Sequence, residues 1–377
     1  LYHEGLKTGI LFLDYCSCEP VDAIIRKSDQ RERGLTMPKI IADAIDQLIS
    51  IEMRFGAGLP RGVIRPLYEA ARDVQGGEPL VYQAAQALLE HVKPRDTVLI
   101  VTGFGSRFGL PRGETDGPLG AASLGRVLDF GLGARTVYVC DEPHLGPIVA
   151  SVEAAGISVL DAERFEHRPH STLVEIHPPG DAAGQRFAPQ LLDKYQPRAV
   201  VFIEKTGPNA KGVHHSIMGT AKNPDETGHA FHLAEAAKTR GIVTIGVGDG
   251  GNEIGNGLIY DAARQIQPYG ITCQCDCEDG VVTVTATDVL ISASVSNWGA
   301  YGIAAQLAYE LKNADYFQSE EMEDFMLRQC VAAGGTDGAY AAQVLYVDGT
   351  SARTQRALVA MLREIIKNGF KTVHRGF

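Results

Sequence analysis

A glycine-dense loop that carries two acids and one amide is the segment of this sequence best suited to chemistry. It reads Gly-Val-Gly-Asp-Gly-Gly-Asn-Glu-Ile-Gly-Asn-Gly over residues 246–257 and directly follows an apolar run over 242–245. A buried strand that leads into glycines lets the backbone approach a ligand closely. The side-chain oxygens of Asp249, Asn252 and Glu253 are the ligand type that hard divalent cations prefer. The loop therefore indicates a cation site, or a substrate held through a cation.

The same loop contains the glycine spacing of a dinucleotide-binding turn, G-x-G-x-x-G over 246–251. That turn binds a pyrophosphate through backbone N–H groups at the start of a helix. Asp249 lies in the middle of the turn, where its charge would repel a pyrophosphate unless a metal lay between them. No Gly-Lys-Ser/Thr follows, as a phosphate-binding loop would require. We therefore favour a cation site, and the remaining alternative is a glycine-rich turn with solvated acids.

Further acids follow other apolar runs of the chain. Glu114 and Asp116 lie beyond the run 97–101, and Glu204 directly follows the run 199–203. In open parallel sheets, ligands bind outside the carboxyl ends of the strands, so carboxylates in these positions should converge. Converging buried carboxylates lose their charge unless a cation balances them, and all-oxygen ligands favour Mn²⁺ or Mg²⁺ over zinc. The alternative is that these acids cap the helices that follow.

A histidine pair and an asparagine are further candidates. His214 and His215 lie in the loop after Glu204, and a loop histidine can act as a general base because its pKa lies near neutrality. Two adjacent histidines do not both face one site on a strand, so we expect at most one to act. Asn297, in a Ser-Asn-Trp-Gly segment, could bind a substrate carboxylate, although helix capping explains it equally well.

The cysteines are too few and too scattered for a disulfide framework, since there are seven in 377 residues. Cys273, Cys275 and Cys277 alternate and, with Cys16 and Cys18, raise the question of zinc. Zinc sites more often use a C-x-x-C spacing, and alternate residues of a strand merely share a face. We interpret all of them as reduced cysteines of a cytoplasmic protein.

The overall composition is that of a globular chain, with 45% hydrophobic and 21% charged residues. Its net charge of −11 argues against nucleic acid as the main partner, because phosphate binding needs clustered Lys and Arg. No apolar stretch approaches the roughly 18 residues of a membrane span. We therefore expect a small-molecule substrate, and neither nucleic acid nor a membrane as partner.

The elements that must position these residues change in character near residue 96. Residues 1–95 predict a helical N-terminal subdomain, because 38–51 and 80–92 repeat apolar residues at helical spacing. Beyond it, short β-branched runs alternate with helical segments. This alternation predicts an α/β domain over 96–377, with a mostly parallel sheet flanked by helices.

Four motifs in chain order resemble the C-terminal domain of the D-glutamate cyclases. They are Glu-Thr-Asp-Gly-Pro at 114–118, Ile-Glu-Lys-Thr-Gly at 203–207, the glycine-dense loop and Val-Ser-Asn-Trp-Gly at 295–299. The resemblance covers about 97–349 and implies an α/β domain that interconverts D-glutamate and 5-oxo-D-proline with loss of water. Some members of the wider family resemble manganese-dependent phosphatases. The residues that match the family pattern are Glu114, Asp116, Glu204, Asp249, Asn252, Glu253, Asp288 and Asn297.

One segment departs from that pattern. Where the family continues with Arg-Ala-Ala-Asp-Gly and two tyrosines, this chain has Pro-Asn-Ala-Lys-Gly at 208–212 and then His214 and His215. An acid has become Lys211 and two phenols have become imidazoles. If this segment contacts substrate, the resemblance predicts the general chemistry more firmly than the specificity.

From the resemblance we expect a metal-assisted lyase acting on D-glutamate or a close relative, with Mn²⁺ or Mg²⁺ as cofactor. The expected cation ligands are Asp116, Glu204, Asp249 and Glu253. The expected catalytic residues are Glu114, Asp116 and His214, with Glu114 or His214 as the base. The expected substrate-binding residues are Asn252, Asp288, Asn297 and Lys211.

Two rival hypotheses remain open at this stage. A Mn²⁺- or Mg²⁺-dependent phosphatase would keep the cation, and Lys211 with the two histidines would suit a phosphate ester. A non-catalytic module would bind a metal or an amino acid at the acidic edge without turnover. In either case the N-terminal helices could pack on a second copy of the chain in a homo-oligomer.

Overall fold

The computed structural model describes residues 36–53 and 61–371. Cys16 and Cys18 lie outside the described residues. Within these described ranges, three helices precede the first strand: α1 (Met37–Ile49), α2 (Ile64–Val74) and α3 (Leu80–His91). The helical character predicted for this section is therefore confirmed where the structure describes it, while the assignment of 1–95 as a separate subdomain stays a prediction.

Seven parallel strands alternate with helices in the rest of the chain. The strands are β1 (Thr97–Thr102), β2 (Arg135–Asp141), β3 (Ser158–Val159), β4 (Ser171–His177), β5 (Ala199–Ile203), β6 (Val243–Gly248) and β7 (Val289–Ser292). The helices between them are α4 (Pro118–Leu132), α5 (Leu145–Ala154), α6 (Ala162–His167), α7 (Asp181–Tyr195), α8 (Phe231–Thr239) and α9 (Tyr260–Ile266). The predicted α/β class with a mostly parallel sheet is confirmed.

The part that follows β7 is helical apart from one short hairpin. It contains α10 (Ser296–Glu310), α11 (Glu320–Ala332), the hairpin strands β8 (Tyr346–Val347) and β9 (Thr350–Ser351), and α12 (Ala352–Gly369). Trp298 on α10 is buried, and its Nε1 donates to Gln355 Oε1 at 2.8 Å. Among the described residues no helix is long and apolar enough to cross a membrane.

Both faces of the sheet are covered, and the central strands β1, β5 and β6 are buried along almost their whole length. On β1, Val98 and Ile100 face one core, which includes α4, α10 and the three N-terminal helices. The intervening residues Leu99 and Val101 face a second core with α6, α7 and α8. This two-sided burial is the arrangement expected of parallel strands, whose side chains alternate between faces.

The strand order locates the place where a ligand should bind. The order is β3-β4-β2-β1-β5-β6-β7, so the chain runs outward from β1 in one direction and from β5 in the other. Strands β1 and β5 pair directly, with Thr102 opposite Ile203 at their carboxyl ends. Ligands of open α/β sheets bind at such a reversal of strand order, outside the carboxyl ends. The segments after β1, β5 and β6 meet there.

Candidate active site

Three buried carboxylates meet at the carboxyl ends of β1, β5 and β6. One oxygen from each of Asp116, Glu204 and Asp249 lies within 4.8 Å of the others. None of the three residues is more than 7% exposed. The structure therefore brings together three of the four cation ligands expected from the sequence.

Asp116 is oriented by the start of α10. Its carboxylate accepts backbone hydrogen bonds from Ser296 at 2.9 Å and from Asn297 at 2.7 Å. A helix N-terminus favours a negative charge. Burial nevertheless raises the pKa of Asp116 well above its ordinary value, and the charges of Asp348 and Asp249 raise it further. A nearby cation would remove this conflict.

Glu204 is held in an uncommon backbone conformation. Its φ is +48°, in the left-handed region that residues other than glycine rarely adopt, directly after the last residue of β5. Its Oε2 accepts a hydrogen bond from Ser296 Oγ at 2.6 Å. Burial, followed by the charges of Asp249 and Glu253, raises the pKa of Glu204 well above its ordinary value. Strained residues of this kind cluster at functional sites.

Glu253, the fourth expected ligand, does not join this group. Its two oxygens accept hydrogen bonds from the backbone of Gly250 at 3.0 Å and Gly251 at 2.8 Å, and from Asn256 Nδ2 at 2.9 Å. These donors belong to the glycine-dense loop itself. Glu253 therefore shapes the loop that presents Asp249, and we withdraw it from the ligand set.

A cavity of about 870 Å³ opens beside the three carboxylates and exposes further polar groups. Glu204, Asp249 and Glu253 form part of its wall, together with Glu114, Asp348, Lys222 and Asn252. Of these, Lys222 and Asp348 were not expected from the sequence. Asp348 is in an Asp-Gly turn that resembles many ordinary turns, and Lys222 is in a long loop without a motif.

Glu114 is a buried carboxyl with an acidic neighbour. Its Oε1 has no hydrogen-bond partner among the described residues. The carboxyl groups of Glu114 and Asp348 both lie next to Gly338. A Cβ atom added to this glycine would be 2.6 Å from Glu114 Oε2 and 3.0 Å from Asp348 Oδ1. Burial, and next the charge of Asp348, raises the pKa of Glu114 well above its ordinary value. A buried carboxyl group with a raised pKa is suited to general acid–base catalysis.

Lys222 supplies a positive charge to the same wall. Its Nζ lies 4.0 Å from the centre of the Phe104 ring. Burial, followed by repulsion from Lys205, lowers the pKa of Lys222 to about 8. Lys205 itself is engaged elsewhere, because its Nζ lies 2.7 Å from Asp141 Oδ1 in a buried ion pair. Lys222 is therefore the lysine that a ligand in the cavity can reach.

Asn252 presents an acceptor to the cavity. Its Nδ2 donates to the backbone oxygen of His215 at 3.1 Å, which fixes the amide. Its Oδ1 is buried and, within the part of the chain that the structure describes, has no hydrogen-bond partner. Buried polar atoms in proteins are nearly always bonded, so this oxygen is suited to an N–H group of a ligand.

His214, expected as a base, lies behind the cavity wall rather than on it. Its ring lies against the ring of His229, with ring centres 4.6 Å apart and the two planes tilted by 51°. Burial, and next the neighbouring His229, lowers the pKa of His214 well below its ordinary value. We therefore correct its role: it is a neutral packing residue, and Glu114 is the acid–base candidate that reaches the cavity.

Two of the expected substrate-binding residues are used by the protein itself. Asn297 Oδ1 accepts from the backbone of Gly117 and Gly120, and its Nδ2 donates to the oxygen of Thr115. These bonds join the starts of α4 and α10 and so position Asp116. Lys211 is exposed, and its Nζ donates to the backbone oxygen of Cys277. Neither side chain lines the cavity.

Asp288, also expected to bind substrate, lies at the opposite end of the sheet. It precedes β7, and its Oδ2 accepts from Thr244 N at 2.8 Å and Thr244 Oγ1 at 2.7 Å, near the start of β6. The residue is exposed. Its carboxylate accepts hydrogen bonds from Thr244 near the amino end of β6, so the substrate-binding assignment does not fit the structure.

Replacing Asp288 by asparagine is therefore expected to leave turnover nearly unchanged, within about twofold in kcat/KM, because exposed positions remote from a site rarely matter by more than about 0.5 kcal/mol. Steady-state kinetics of the purified variant would check this. A tenfold loss would show that this end of the sheet contributes to catalysis after all.

The residues present fit a hard divalent cation. The group offers only carboxylate oxygens, which Mn²⁺ and Mg²⁺ prefer, and burial together with mutual repulsion makes its charge costly without a cation. The raised pKa values of Glu114, Asp116 and Glu204 express that cost. Such groups stabilise the folded chain while they are protonated, and the stability is lost as pH rises from their ordinary pKa values, near 4, through the raised values.

Addition of Mn²⁺ or Mg²⁺ is accordingly expected to raise Tm, and the increase in Tm should become larger as pH rises through the raised pKa values of these carboxyl groups. At low pH the cation must displace protons, whereas at higher pH it meets ionised carboxylates. Thermal unfolding at a series of pH values would measure this increment. The same cation should give no pH-dependent increment in an Asp249→Asn variant.

The sequence is similar to one family of known proteins. The family described as D-glutamate cyclase-like, C-terminal, matches residues 74–363, which include all the cavity residues named above. A human protein named "D-glutamate cyclase, mitochondrial" is 31% identical over 228 residues, which is 59% of this chain and 34% of the human protein. The chain thus spans about a third of the length of that relative.

Proposed function

Because the chain belongs to the D-glutamate cyclase-like family, we propose that it is a metal-assisted lyase that interconverts D-glutamate, or a close relative, and 5-oxo-D-proline plus water. The observation that carries the proposal is the group of Asp116, Glu204 and Asp249 beside a cavity that also contains an acid–base candidate and a lysine. An acidic amino acid needs both a positive partner and a proton carrier, and this cavity offers both.

Lys222 and Asn252 are the residues proposed to orient the substrate. With a pKa of about 8, Lys222 carries its charge at neutral pH and can pair with the α-carboxylate of glutamate or oxoproline. The Asn252 Oδ1 atom can accept a hydrogen bond from the substrate nitrogen, which is an N–H donor in both compounds. Together they would hold the nitrogen close to the γ-carbon, where the new bond forms.

Cyclisation requires two protons to move from the ammonium nitrogen to the oxygen that leaves as water. A divalent cation held by Asp116, Glu204 and Asp249 would polarise the γ-carboxyl group and stabilise the charge on the departing oxygen. Glu114 can carry the two protons one after the other, because its raised pKa lets it donate a proton to the oxygen and recover one from the nitrogen in each of two successive transfers. In the reverse direction the same carboxylate would deprotonate the attacking water.

The proposal is tested by following D-glutamate and 5-oxo-D-proline by proton NMR after incubation with the protein and Mg²⁺. We expect either compound to convert into the other, and the L-enantiomers to convert much more slowly. The L-compounds are a matched control because they have the same charge and reactive groups. Equal rates for both enantiomers, or no conversion of either compound, would contradict the proposed substrate.

The phosphatase hypothesis loses the residues that favoured it. It relied on Lys211, His214 and His215, and these side chains do not line the cavity. It remains distinguishable in the same experiment, because cation-dependent release of phosphate from an aryl phosphate would favour it. Cation binding without turnover of either substrate class would favour the non-catalytic module. The cytoplasmic location and the homo-oligomer stay predictions.

A further inference from the structure

A second cluster of potential ligands lies outside the acidic cavity. The sulfur of Cys273 is 3.4 Å from that of Cys275 and 3.3 Å from that of Cys277. His215 Nε2 lies 3.3 Å from Cys275 Sγ and 3.6 Å from Cys277 Sγ. All four ligand atoms lie within 4.8 Å of one another. Three sulfurs and one imidazole nitrogen thus face a single point.

The spacing of these atoms fits one tetrahedral ion. Zinc binds sulfur at about 2.3 Å and imidazole nitrogen at about 2.0–2.1 Å, which requires the sulfurs to be about 3.8 Å apart and the nitrogen about 3.6 Å from each sulfur. The measured separations of 3.3–3.6 Å are within half an ångström of those values. The sulfurs are too far apart to be bonded, since a disulfide is about 2.05 Å long.

The groups around the cluster prepare it for a metal. His215 Nδ1 lies 3.1 Å from the backbone oxygen of Val213 and can donate to it, which leaves the lone pair of Nε2 directed at the sulfurs. Metal-binding histidines characteristically make this second bond. Asn209 Nδ2 donates to Cys277 Sγ at 3.3 Å, and the Lys211 ammonium group bonds to the Cys277 carbonyl oxygen. Both contacts would stabilise the excess negative charge of three thiolates around one Zn²⁺.

The ligand types distinguish this cluster from the carboxylate group. Soft thiolates and an imidazole select zinc, whereas the all-oxygen group selects a hard cation. The spacing Cys-x-Cys-x-Cys was interpreted as reduced cysteines because alternate residues of a strand share one face. In the structure, 273–277 form a loop rather than a strand, so the three sulfurs can turn inward, and His215 arrives from a loop some 60 residues earlier in the chain.

We propose that a structural zinc ion is bound by His215, Cys273, Cys275 and Cys277 and stabilises the wall of the acidic cavity. The segment 216–222, which follows His215, contributes much of that wall, including Lys222. The cysteine loop also contacts it through Gln274 N, which donates to Gly219 O at 2.9 Å. His215 further accepts from Asn252 through its backbone oxygen. The zinc would therefore connect the loop after β5 to the cysteine loop and hold Lys222 and Asn252 in position.

Elemental analysis of the purified, reduced protein tests the proposal. We expect about one zinc ion per chain, consistent with one four-ligand site. Cys275→Ser and Cys277→Ser should each lose the zinc and unfold at a lower temperature. Cys330→Ser is the matched control, because Cys330 is a buried thiol on α11 outside the cluster. It should keep the zinc.

A further variant, His215→Cys, separates loss of a ligand from loss of folding. Because four thiolates also bind zinc tetrahedrally, this variant should keep about one zinc ion, whereas His215→Ala should lose most of it. Replacement of zinc by Co²⁺ should give the intense visible absorption of tetrahedral thiolate coordination. The Asp249→Asn variant should keep its zinc, which makes the two metal sites independent.

Three results would overturn the proposal. The first is wild-type protein that contains no zinc and binds none when zinc is added under reducing conditions. The second is a disulfide among the three cysteines in the protein as isolated, detected as two thiols too few in a thiol titration. The third is zinc retained undiminished in both cysteine variants. None of these results would by itself contradict the proposed reaction, because that proposal is tested by turnover of D-glutamate and not by zinc content.

Discussion

Replacement of Asp249 by asparagine should reduce kcat/KM for the D-glutamate reaction by on the order of 10³-fold or more, with the fold retained. A metal ion typically supplies several kcal/mol of charge stabilisation in the transition state, and each 1.36 kcal/mol is a factor of ten in rate. Asp249 is one of the three carboxylates that would hold the cation, and it lies on a loop in which Glu253 accepts backbone hydrogen bonds from Gly250 and Gly251.

The design of this test depends on a matched substitution. Asp288→Asn makes the same chemical change at the other end of the same sheet, so it controls for any general effect of losing one acid. Circular dichroism and Tm would establish that both variants fold, and loss of one carboxylate from a repelling group should leave the Asp249 variant at least as stable as the wild type without cation. Unchanged kcat/KM in a folded Asp249→Asn protein would refute the role assigned to the loop.

Glu114→Gln is expected to lower kcat by about 10²–10⁴-fold, the range typical of a lost general acid–base group. The amide keeps the size of the side chain but can neither donate nor recover a proton. The pH profile adds a second readout. The raised pKa of Glu114 means that its proton is retained to higher pH than in an ordinary glutamate, so the cyclisation rate should fall as pH rises through that pKa. This limb should be absent in the variant.

Asp348→Asn provides a positive test of the same assignment. The charge of Asp348 is the largest electrostatic contribution to the raised pKa of Glu114 after burial. Removal of that charge should lower the pKa of Glu114, so the descending limb of the cyclisation profile should move to lower pH while a measurable rate remains. A limb that stays in place in Asp348→Asn, or persists in Glu114→Gln, would assign proton transfer to another group.

The central part of the site was predictable because it depends directly on the parallel sheet. The runs that form β1, β5 and β6 are rich in apolar and β-branched residues, as is typical of strands buried on both faces. Parallel strands bring the segments after their carboxyl ends to one edge, so Asp116, Glu204 and Asp249 could be expected to meet. The sequence alone could not reveal that β1 and β5 are neighbours in the sheet. Their pairing places the reversal of strand order between these two strands, next to the site.

Two of the side chains expected to bind a ligand are bonded to the protein instead, because backbone groups compete with ligands for polar side chains. Glu253 and Asn297 satisfy N–H groups of tight turns and helix starts, and such local demands are set by geometry that a sequence pattern does not contain. Asp288 differs, since it precedes its strand rather than following it. Its place in the chain already indicated the amino end of the sheet.

Lys222 and Asp348 were missed for the opposite reason. Lys222 lies in an irregular loop and Asp348 in the turn of the short β8–β9 hairpin, and only the tertiary fold brings each of them to the cavity, so neither periodicity nor a motif indicates its position. His215 belongs to the same class, because only the folded chain brings it to three cysteines about 60 residues away. For residues of this kind, tertiary contacts decide function, and the sequence alone supplies only candidates.

The most direct test of the account is to titrate Mn²⁺ into metal-stripped protein while bound Mn²⁺ and conversion of 5-oxo-D-proline are both measured. Bound Mn²⁺ can be followed by electron paramagnetic resonance, and product by chromatography of the same samples. We predict no turnover in the stripped protein and a rise in activity that follows the bound Mn²⁺, with neither change in Asp249→Asn. Full turnover in protein without a divalent cation in the carboxylate group would contradict the account.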